Sequence, residues 1–281
     1  LKPEELPTTM RGHEPSGVVA EVGEAVTMVK VGDRVSVYHA PACNHCEPCA
    51  RGQFFNCATI GPGYRLGQKV NGGDADYLLV DQNVCFKLPD ALNFEDGAII
   101  ACAGGTAYHA LRRGNVRGGE YVLVTGLGPV GLCVTMLAKA MGGTVIGVDP
   151  SAYRRELALK HGASFVIDPT QSNMIEEVKR LTGEGAEVAI ETSGNDQARA
   201  DLIRCTSYQA TLVYVGIGGR AANVMLGPHL GERCLTGSNM FTHADYFELV
   251  RLMLRRGLHF SDLVTHRFPL ERAPEAFELF A

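Results

Sequence analysis

The apolar positions divide the chain into two regions with different periods. From residue 120 onward, short apolar runs alternate with stretches whose apolar residues recur at helical spacing. Tyr121-Val122-Leu123-Val124 is apolar throughout, the pattern of a strand buried on both faces. Leu132, Met136 and Ala140 then predict a helix, and Thr144 to Val148 a second strand. The alternation continues with helix over Ala152 to Lys160, strand over Phe165-Val166-Ile167 and helix over Met174 to Leu181. Strand over Val188-Ala189-Ile190, helix over Gln197 to Cys205 and strand over Thr211 to Val215 follow. That order predicts an α/β fold with a doubly wound parallel sheet.

The preceding region has a different grain. Leu1 to Thr9 carries two prolines and reads as a connecting loop. Alternation over Val18 to Val22, short segments over Val29 to Val37 around a Gly32-Asp33 turn, and Asp76 to Val84 predict strands of a compact β-rich domain. Leu92 to Ile100 is an apolar approach to Cys102, and a helix is expected over Thr106 to Arg112. Near the end, Phe241 to Arg256 is amphipathic, with Phe247, Val250, Leu252 and Leu254 as its apolar positions. It is expected to carry the chain back to the first domain, with the active site in a cleft between domains. The expected division is 1–104, 105–241 and 242–281. The first residue is Leu1 and the last segment, Pro274 to Ala281, reads as helix, so truncation at both ends is expected.

The turn between the first two strands of the second region carries Gly126-Leu127-Gly128-Pro129-Val130-Gly131, which is G-x-G-x-x-G, with Asp149 following 18 residues later. Gly126 permits the tight turn, Gly128 lets backbone approach a pyrophosphate, and Gly131 lets the helix pack close to the strand. The helix N-terminus then faces the phosphates. Asp149 can accept from both ribose hydroxyls and would repel a 2′-phosphate, which favours NAD over NADP. Arg154 and Arg155 stand nearby as cations that could hold a 2′-phosphate instead.

The sharpest local signal lies in the first domain. Cys43, Cys46, Cys49 and Cys57 form C-x2-C-x2-C-x7-C within a lobe, 43–57, rich in Pro, Gly and polar residues. Four thiolates suit a closed tetrahedral zinc with no open position, a structural ion that replaces a core the lobe is too small to build. His45 is expected to be a solvated loop residue.

Composition excludes several classes. A net charge of −5 and a pI near 6.0 give no electrostatic footprint for nucleic acid or anionic membrane. No run of 18 apolar residues and no leader pattern occurs, so neither a membrane span nor a signal peptide is expected. Nine cysteines without a secretory signal point to metal or buried thiols in a reducing, cytoplasmic compartment. Cys85, Cys133, Cys205 and Cys234 lack ligand spacing and are expected in the core; His109 and His161 are expected on helices in surface or capping roles.

Three blocks together resemble the zinc-dependent medium-chain alcohol dehydrogenases, the broad family that includes sorbitol and threonine dehydrogenases. They are Gly12-His13-Glu14 with Gly17, Gly23 and Val26, the four-cysteine lobe, and the glycine turn. The resemblance implies a GroES-like catalytic domain, a Rossmann coenzyme domain, and a homodimer or homotetramer. It implies a second, catalytic zinc at His13, Glu14 and Cys102, with His13 and Cys102 as ligands and Glu14 as the neighbouring carboxylate that can orient the site or replace its water. It also places Thr106, Val130, Val215 and Ile217 at the nicotinamide, Gly194 at the coenzyme edge, and His39, beside Tyr38, on the wall of the substrate pocket. A further ligand of that family is a cysteine upstream of the histidine motif, and the twelve residues before His13 contain none. NAD-linked oxidation of a small alcohol or polyol is therefore expected, and the competing reading is an NAD- and zinc-binding fragment or subunit with impaired catalysis. A zinc-free reductase of the same superfamily would lack His13-Glu14, the cysteine lobe and Asp149. Cys102, where sorbitol- and threonine-type relatives often carry an acid, leans toward simple alcohols.

Overall fold

The computed structural model describes residues 10–61, 64–218 and 230–280. The expected loop at Leu1 to Thr9 and the helix end at Ala281 lie outside them. Two compact units emerge: Leu1–Gly105 with Phe241–Ala281, and Thr106–Met240.

In the first unit, β1 (Ser16–Val18), β2 (Arg34–Val37) and β3 (Cys85–Lys87) form an antiparallel sheet in that order, with Ser16 opposite Ser36 and Val37 opposite Cys85. Less strand forms than the alternation predicts. β1 stops at Val18, and Val18 and Val22 are exposed; Val19 still donates to the Asp33 carbonyl and accepts from the Gly32 amide, both at 2.9 Å, but among the described residues no strand continues beyond it. Asp76 to Val84 is not a strand either. Tyr77 and Leu79 are 80% and 96% exposed, and Gln82–Val84 is a 3-10 turn capped by Asp81. The alternating residues have no described neighbour strand to bury them, and alternation without pairing does not make a sheet.

The lobe that follows β2 contains the short helix α1 (Glu47–Ala50). Helix α2 (Phe94–Ile99) starts at a capping box in which Asn93 accepts from the Asp96 amide and Asp96 accepts from the Asn93 amide. A π-helical turn, Ile100–Gly104, follows, and then α3 (Gly105–Arg113). The five-residue step of the π turn shifts the side-chain register, a distortion found frequently at functional sites.

In the second unit, β4 (Tyr121–Thr125), α4 (Pro129–Ala140), β5 (Thr144–Val148), α5 (Ala152–Lys160) and β6 (Ala163–Ile167) form one half of a doubly wound sheet. α6 (Met174–Thr182), β7 (Ala186–Glu191), α7 (Asp196–Leu202), β8 (Thr206–Tyr214) and β9 (Cys234–Gly237) form the other. The sheet order is β6-β5-β4-β7-β8-β9, and every pair is parallel. The order reverses between β4 and β7, the crevice where such sheets bind ligands. The predicted runs are apolar because both faces are covered: Val122, Leu123, Val124, Ile146, Ala189, Ile190 and Leu212 are fully buried. Helix starts follow polar caps: Ser151 for α5, Asn173 for α6 and Asn195 for α7 each accept from first-turn amides.

Helix α8 (His243–Arg256) begins with a second capping box, Thr242 with Asp245, and ends at Gly257, whose φ of 61° is left-handed. Its buried face is Tyr246, Leu249, Val250 and Met253, whereas Phe247 and Leu254 are exposed. The sequence assigned those two to the packed side; the register instead follows Tyr246, whose hydroxyl donates to the Lys87 carbonyl at 2.9 Å. A last helix, α9 (Ala273–Phe280), follows. Cys133 and Cys205 are core residues, but Cys85 is only partly buried and Cys234 is exposed on the edge strand β9, where no further described strand covers it. His109 lies in α3 and His161 directly follows α5.

Candidate active site

The four cysteines converge. Their sulfurs all lie within 4.8 Å of one another, with Cys43 to Cys49 at 3.9 Å and Cys46 to Cys57 at 4.0 Å. A tetrahedral zinc with ordinary Zn–S bonds places its sulfurs about 3.8 Å apart. Backbone amides point at the sulfurs: Cys43 N and Ile60 N at Cys57, and Ala58 N at Cys46, each at 3.4 Å. Such donors favour thiolates over thiols. Without a cation the four sulfurs compete: a hydrogen bond from Thr59 draws Cys43 down to about 5, while burial pushes Cys49 up to about 12. The donor set and spacing fit a closed structural zinc. His45 is exposed, and its Nδ1 bonds the Cys43 carbonyl at 2.8 Å, so it stays within its own loop.

A second cluster brings together His13, Glu14 and Cys102, again within 4.8 Å. His13 Nε2 lies 3.3 Å from Cys102 Sγ across 89 residues of sequence. With ordinary Zn–N and Zn–S bonds, that separation corresponds to about 100° at a shared zinc. Glu14 Oε1 lies 3.9 Å from His13 Nε2, which would require about 140°, so Glu14 fits better beside the ion than as an equal ligand. Burial raises the Glu14 pKa, opposed by His13 and by hydrogen bonds with Cys102 and Ala103.

Two features that the sequence did not single out place these side chains. Cys102 sits in the π turn. His13 is held by a backbone clasp in which Gly72, Gly73 and Asp74 amides donate to the Met10, Gly12 and Arg11 carbonyls at 2.8, 2.8 and 2.9 Å. The fit demands glycine: a Cβ on Gly72 would lie 2.1 Å from the Gly12 oxygen, and Gly12 itself has φ +87°. The adjacent Gly72-Gly73 pair was the readable signal of that close approach.

His39 is almost fully buried, and its Nδ1 lies 3.0 Å from the Ala101 carbonyl, which makes Nδ1 the protonated nitrogen. Burial, then the proximity of His13, lowers its pKa to about 3. Its ring lies edge-on to His13 with centroids 5.2 Å apart. His39 thus ties the strand end to the residue before Cys102 as a neutral group beside the cluster.

The glycine turn divides its work among its residues. A Cβ on Gly126 (φ +84°) would meet Ser193 N at 2.7 Å, and one on Gly131 would meet the Gly126 oxygen at 1.9 Å. Gly128 has nothing within 4 Å of that position, leaving open room above the turn. α4 starts with Pro129 and no side chain caps it, so the amides of its first turn, at Val130 and Gly131, lack a side-chain acceptor. Asp149, 3% exposed, follows β5; its Oδ2 accepts from Leu127 N and its Oδ1 from Ser151 N, both at 2.8 Å. Arg155 bonds the Asp149 and Pro150 carbonyls and Asp168, whereas Arg154 is half-exposed with its Nη1 3.8 Å from Asp149 Oδ2. Thr106 is buried in the first turn of α3, and Val215 and Ile217 follow β8, Ile217 being 88% exposed. The open cradle, the uncapped helix start and the buried acid fit a dinucleotide.

Residues 129–255 match the family model described as zinc-binding dehydrogenase, and residues 2–90 match that of the alcohol dehydrogenase GroES-like domain. An uncharacterised zinc-type alcohol dehydrogenase-like protein of Escherichia coli, YphC, is 36% identical over 280 residues, covering 97% of this chain and 78% of that protein. Mouse sorbitol dehydrogenase is 36% identical over 278 residues, covering 95% and 75%. Among solved structures, the alcohol dehydrogenase of Thermus sp. ATN1 has a TM-score of 0.88 at 29% identity, covering 98% and 82%. A zinc-binding dehydrogenase of Sinorhizobium meliloti bound to NADP has 0.86 at 26%, covering 96% and 79%. An alcohol dehydrogenase of E. coli CFT073 complexed with NADH has 0.87 at 26%, covering 96% and 79%. The chain belongs to the zinc-dependent medium-chain alcohol dehydrogenase family. It is an oxidoreductase of the alcohol and polyol dehydrogenase type, with a GroES-like domain and a Rossmann domain. Among the described residues no helix is long and apolar enough to cross a membrane.

Proposed function

We propose that this chain oxidises a secondary hydroxyl of a polyol to the ketone, with NAD as acceptor and zinc at His13 and Cys102. The observation that carries it is the 3.3 Å approach of His13 Nε2 to Cys102 Sγ, at an angle suited to a shared ion. The likeness to sorbitol dehydrogenase supports a polyol, against the leaning of Cys102 toward simple alcohols. When bound, zinc supplies Lewis acidity toward the alcohol oxygen, and NAD accepts the hydride.

The protein's own residues orient and hold. His13 and Cys102 fix the ion, and Glu14, with its Oε1 3.9 Å from His13 Nε2, stands beside it as a carboxylate suited to proton transfer. His39, held neutral by burial, adds no charge next to His13. Val130 and Gly131 amides receive the pyrophosphate, Asp149 the ribose hydroxyls, and Thr106, Val215 and Ile217 line the nicotinamide. Arg154, half-exposed beside Asp149, is placed to meet a 2′-phosphate, so NAD is preferred without NADP being barred. Cys43, Cys46, Cys49 and Cys57 hold the structural zinc. The metal-type cysteine spacing supports a cytoplasmic protein, and the family likeness supports a homodimer or homotetramer.

The test is NADH formation at 340 nm with sorbitol, xylitol and short primary alcohols, in wild type and Cys102→Ala. Zinc-dependent turnover of the polyols that Cys102→Ala abolishes supports the proposal. Coenzyme binding and one zinc without turnover favours instead the impaired NAD-binding subunit.

A further inference from the structure

Resting on that coenzyme assignment, we propose that the buried pair Glu191–Arg199 is the positioning device for the nicotinamide half of the dinucleotide, acting through two loops that it locks together. Glu191 ends β7 and is fully buried. Its Oε1 accepts from Ser193 N at 2.7 Å, from Ser193 Oγ at 2.5 Å and from Gly194 N at 2.9 Å, which shapes the turn after β7. Its Oε2 accepts from Arg199 Nε at 3.2 Å. Arg199 then donates through Nη2 to the Gly216 carbonyl and through Nη1 to the Gly218 carbonyl, both at 2.5 Å, and so holds the segment after β8. The Glu191 carbonyl closes the set by accepting from Val215 N at 2.8 Å and Gly216 N at 2.9 Å.

The two loops also interlock sterically. A Cβ on Gly194 (φ +67°) would meet the Ile217 oxygen at 2.4 Å, and one on Gly216 would meet Gly194 N at 2.3 Å and Glu191 Oε2 at 2.8 Å. Segment 215–218 has little packing of its own, since Ile217 is 88% exposed and two of its four residues are glycine. Its conformation therefore comes from hydrogen bonds, and Arg199 supplies two of them from one planar fork. A buried ion pair contributes little net stability over apolar side chains of equal volume; fixing one conformation is the better-attested use.

The sheet order says which part of a ligand those loops serve. Asp149, at the ribose position, follows β5 on one side of the reversal between β4 and β7, whereas both loops follow strands on the other side. A dinucleotide with its pyrophosphate at the β4 turn and one ribose at Asp149 carries its second nucleoside over β7 and β8. Neither Glu191 nor Arg199 need touch the coenzyme; they hold the backbone that does.

The test compares NADH with ADP-ribose, which lacks the nicotinamide, by titration calorimetry on Arg199→Lys and Glu191→Gln. Lysine keeps the charge but cannot reach both carbonyls. Glutamine keeps Oε1 for the turn while turning an amide donor toward Arg199. The expected result is an NADH Kd raised about tenfold in both variants, with ADP-ribose affinity within about twofold of wild type. Equal weakening of the two ligands, or no weakening of either, overturns the proposal. So does a loss of fold in both variants, because the pair would then hold the domain rather than the loops. If Arg199→Lys alone fails to fold, Glu191→Gln decides. Wild type that binds neither ligand sinks the coenzyme assignment as well; wild type that binds ADP-ribose as tightly as NADH spares that assignment and sinks only the positioning role.

Discussion

Gly72→Ala tests how a backbone contact far from the chemistry sets it. The new Cβ would lie 2.1 Å from the Gly12 oxygen and 2.3 Å from the Arg11 oxygen. An ordinary carbon–oxygen contact is about 3.3 Å, so the 10–12 segment must retreat by about 1 Å. The three clasp hydrogen bonds at 2.8 to 2.9 Å cannot all survive such a retreat. His13 is the next residue, and its Nε2 would leave the 3.3 Å approach to Cys102. Strain of this kind costs about 1–3 kcal/mol of stability. A 1 Å displacement of a catalytic group costs about a hundredfold in rate. Gly72→Ala should therefore lower kcat/KM for polyol oxidation about a hundredfold and weaken the second zinc, while the four-cysteine zinc stays bound. The assay combines steady-state kinetics with cobalt substitution, whose absorption bands distinguish a thiolate-rich site from a mixed one. Gly118→Ala, where the nearest atom to the added Cβ is 3.7 Å away, is the control. Wild-type kcat/KM and unchanged second-site affinity in Gly72→Ala would refute the clasp argument.

Asp149→Ser removes the carboxylate expected on the ribose hydroxyls and uncovers Arg154; NAD affinity should fall about tenfold to a hundredfold, a loss of charged hydrogen bonds, while NADP is tolerated better, read as the ratio of the two kcat/KM values. Cys49→Ser opens the tetrahedral site, and one zinc per chain should be lost with a drop of several degrees in Tm, because metal binding there is folding energy. His243 packs against Phe54 and Phe86 with ring centroids 4.7 and 4.4 Å away, and burial lowers its pKa. The folded chain thus keeps it neutral where the unfolded chain protonates, so stability is full above about pH 6.5 and falls as pH drops through that value. Urea midpoints at pH 8 and 5.5 should show the drop, and His243→Phe should reduce it.

The sequence revealed the second unit more fully than the first, for a physical reason. A parallel sheet covered on both faces makes its central strands apolar runs and its crossovers helices with polar caps such as Ser151, so Ala152 to Lys160 and Thr144 to Val148 are legible residue by residue. The first unit depends on pairing between distant segments, which alternation at Val18 to Val22 or Asp76 to Val84 does not reveal. Site residues divide the same way. Ligand spacing announces Cys43 to Cys57, because all four lie in one short lobe. His13 and Cys102 needed the resemblance, since 89 residues separate them and the clasp and the π turn bring them together. Glu191 and Arg199 were missed because an acid that ends an apolar strand looks like a strand terminus until its partner, eight residues on, is seen to share its buried carboxylate.

The proposed function requires His13 and Cys102 to hold a second, catalytic zinc. The direct measurement is zinc per chain after exhaustive dialysis, with NADH formation from sorbitol and xylitol in the same samples, for wild type, His13→Ala and Cys102→Ala. Wild type should hold close to two zincs and form NADH when given the polyols. Each variant should hold close to one zinc with activity lowered at least about a thousandfold, the loss of a Lewis acid that supplies several kcal/mol to the transition state. Two zincs and undiminished NADH formation in either variant would contradict it.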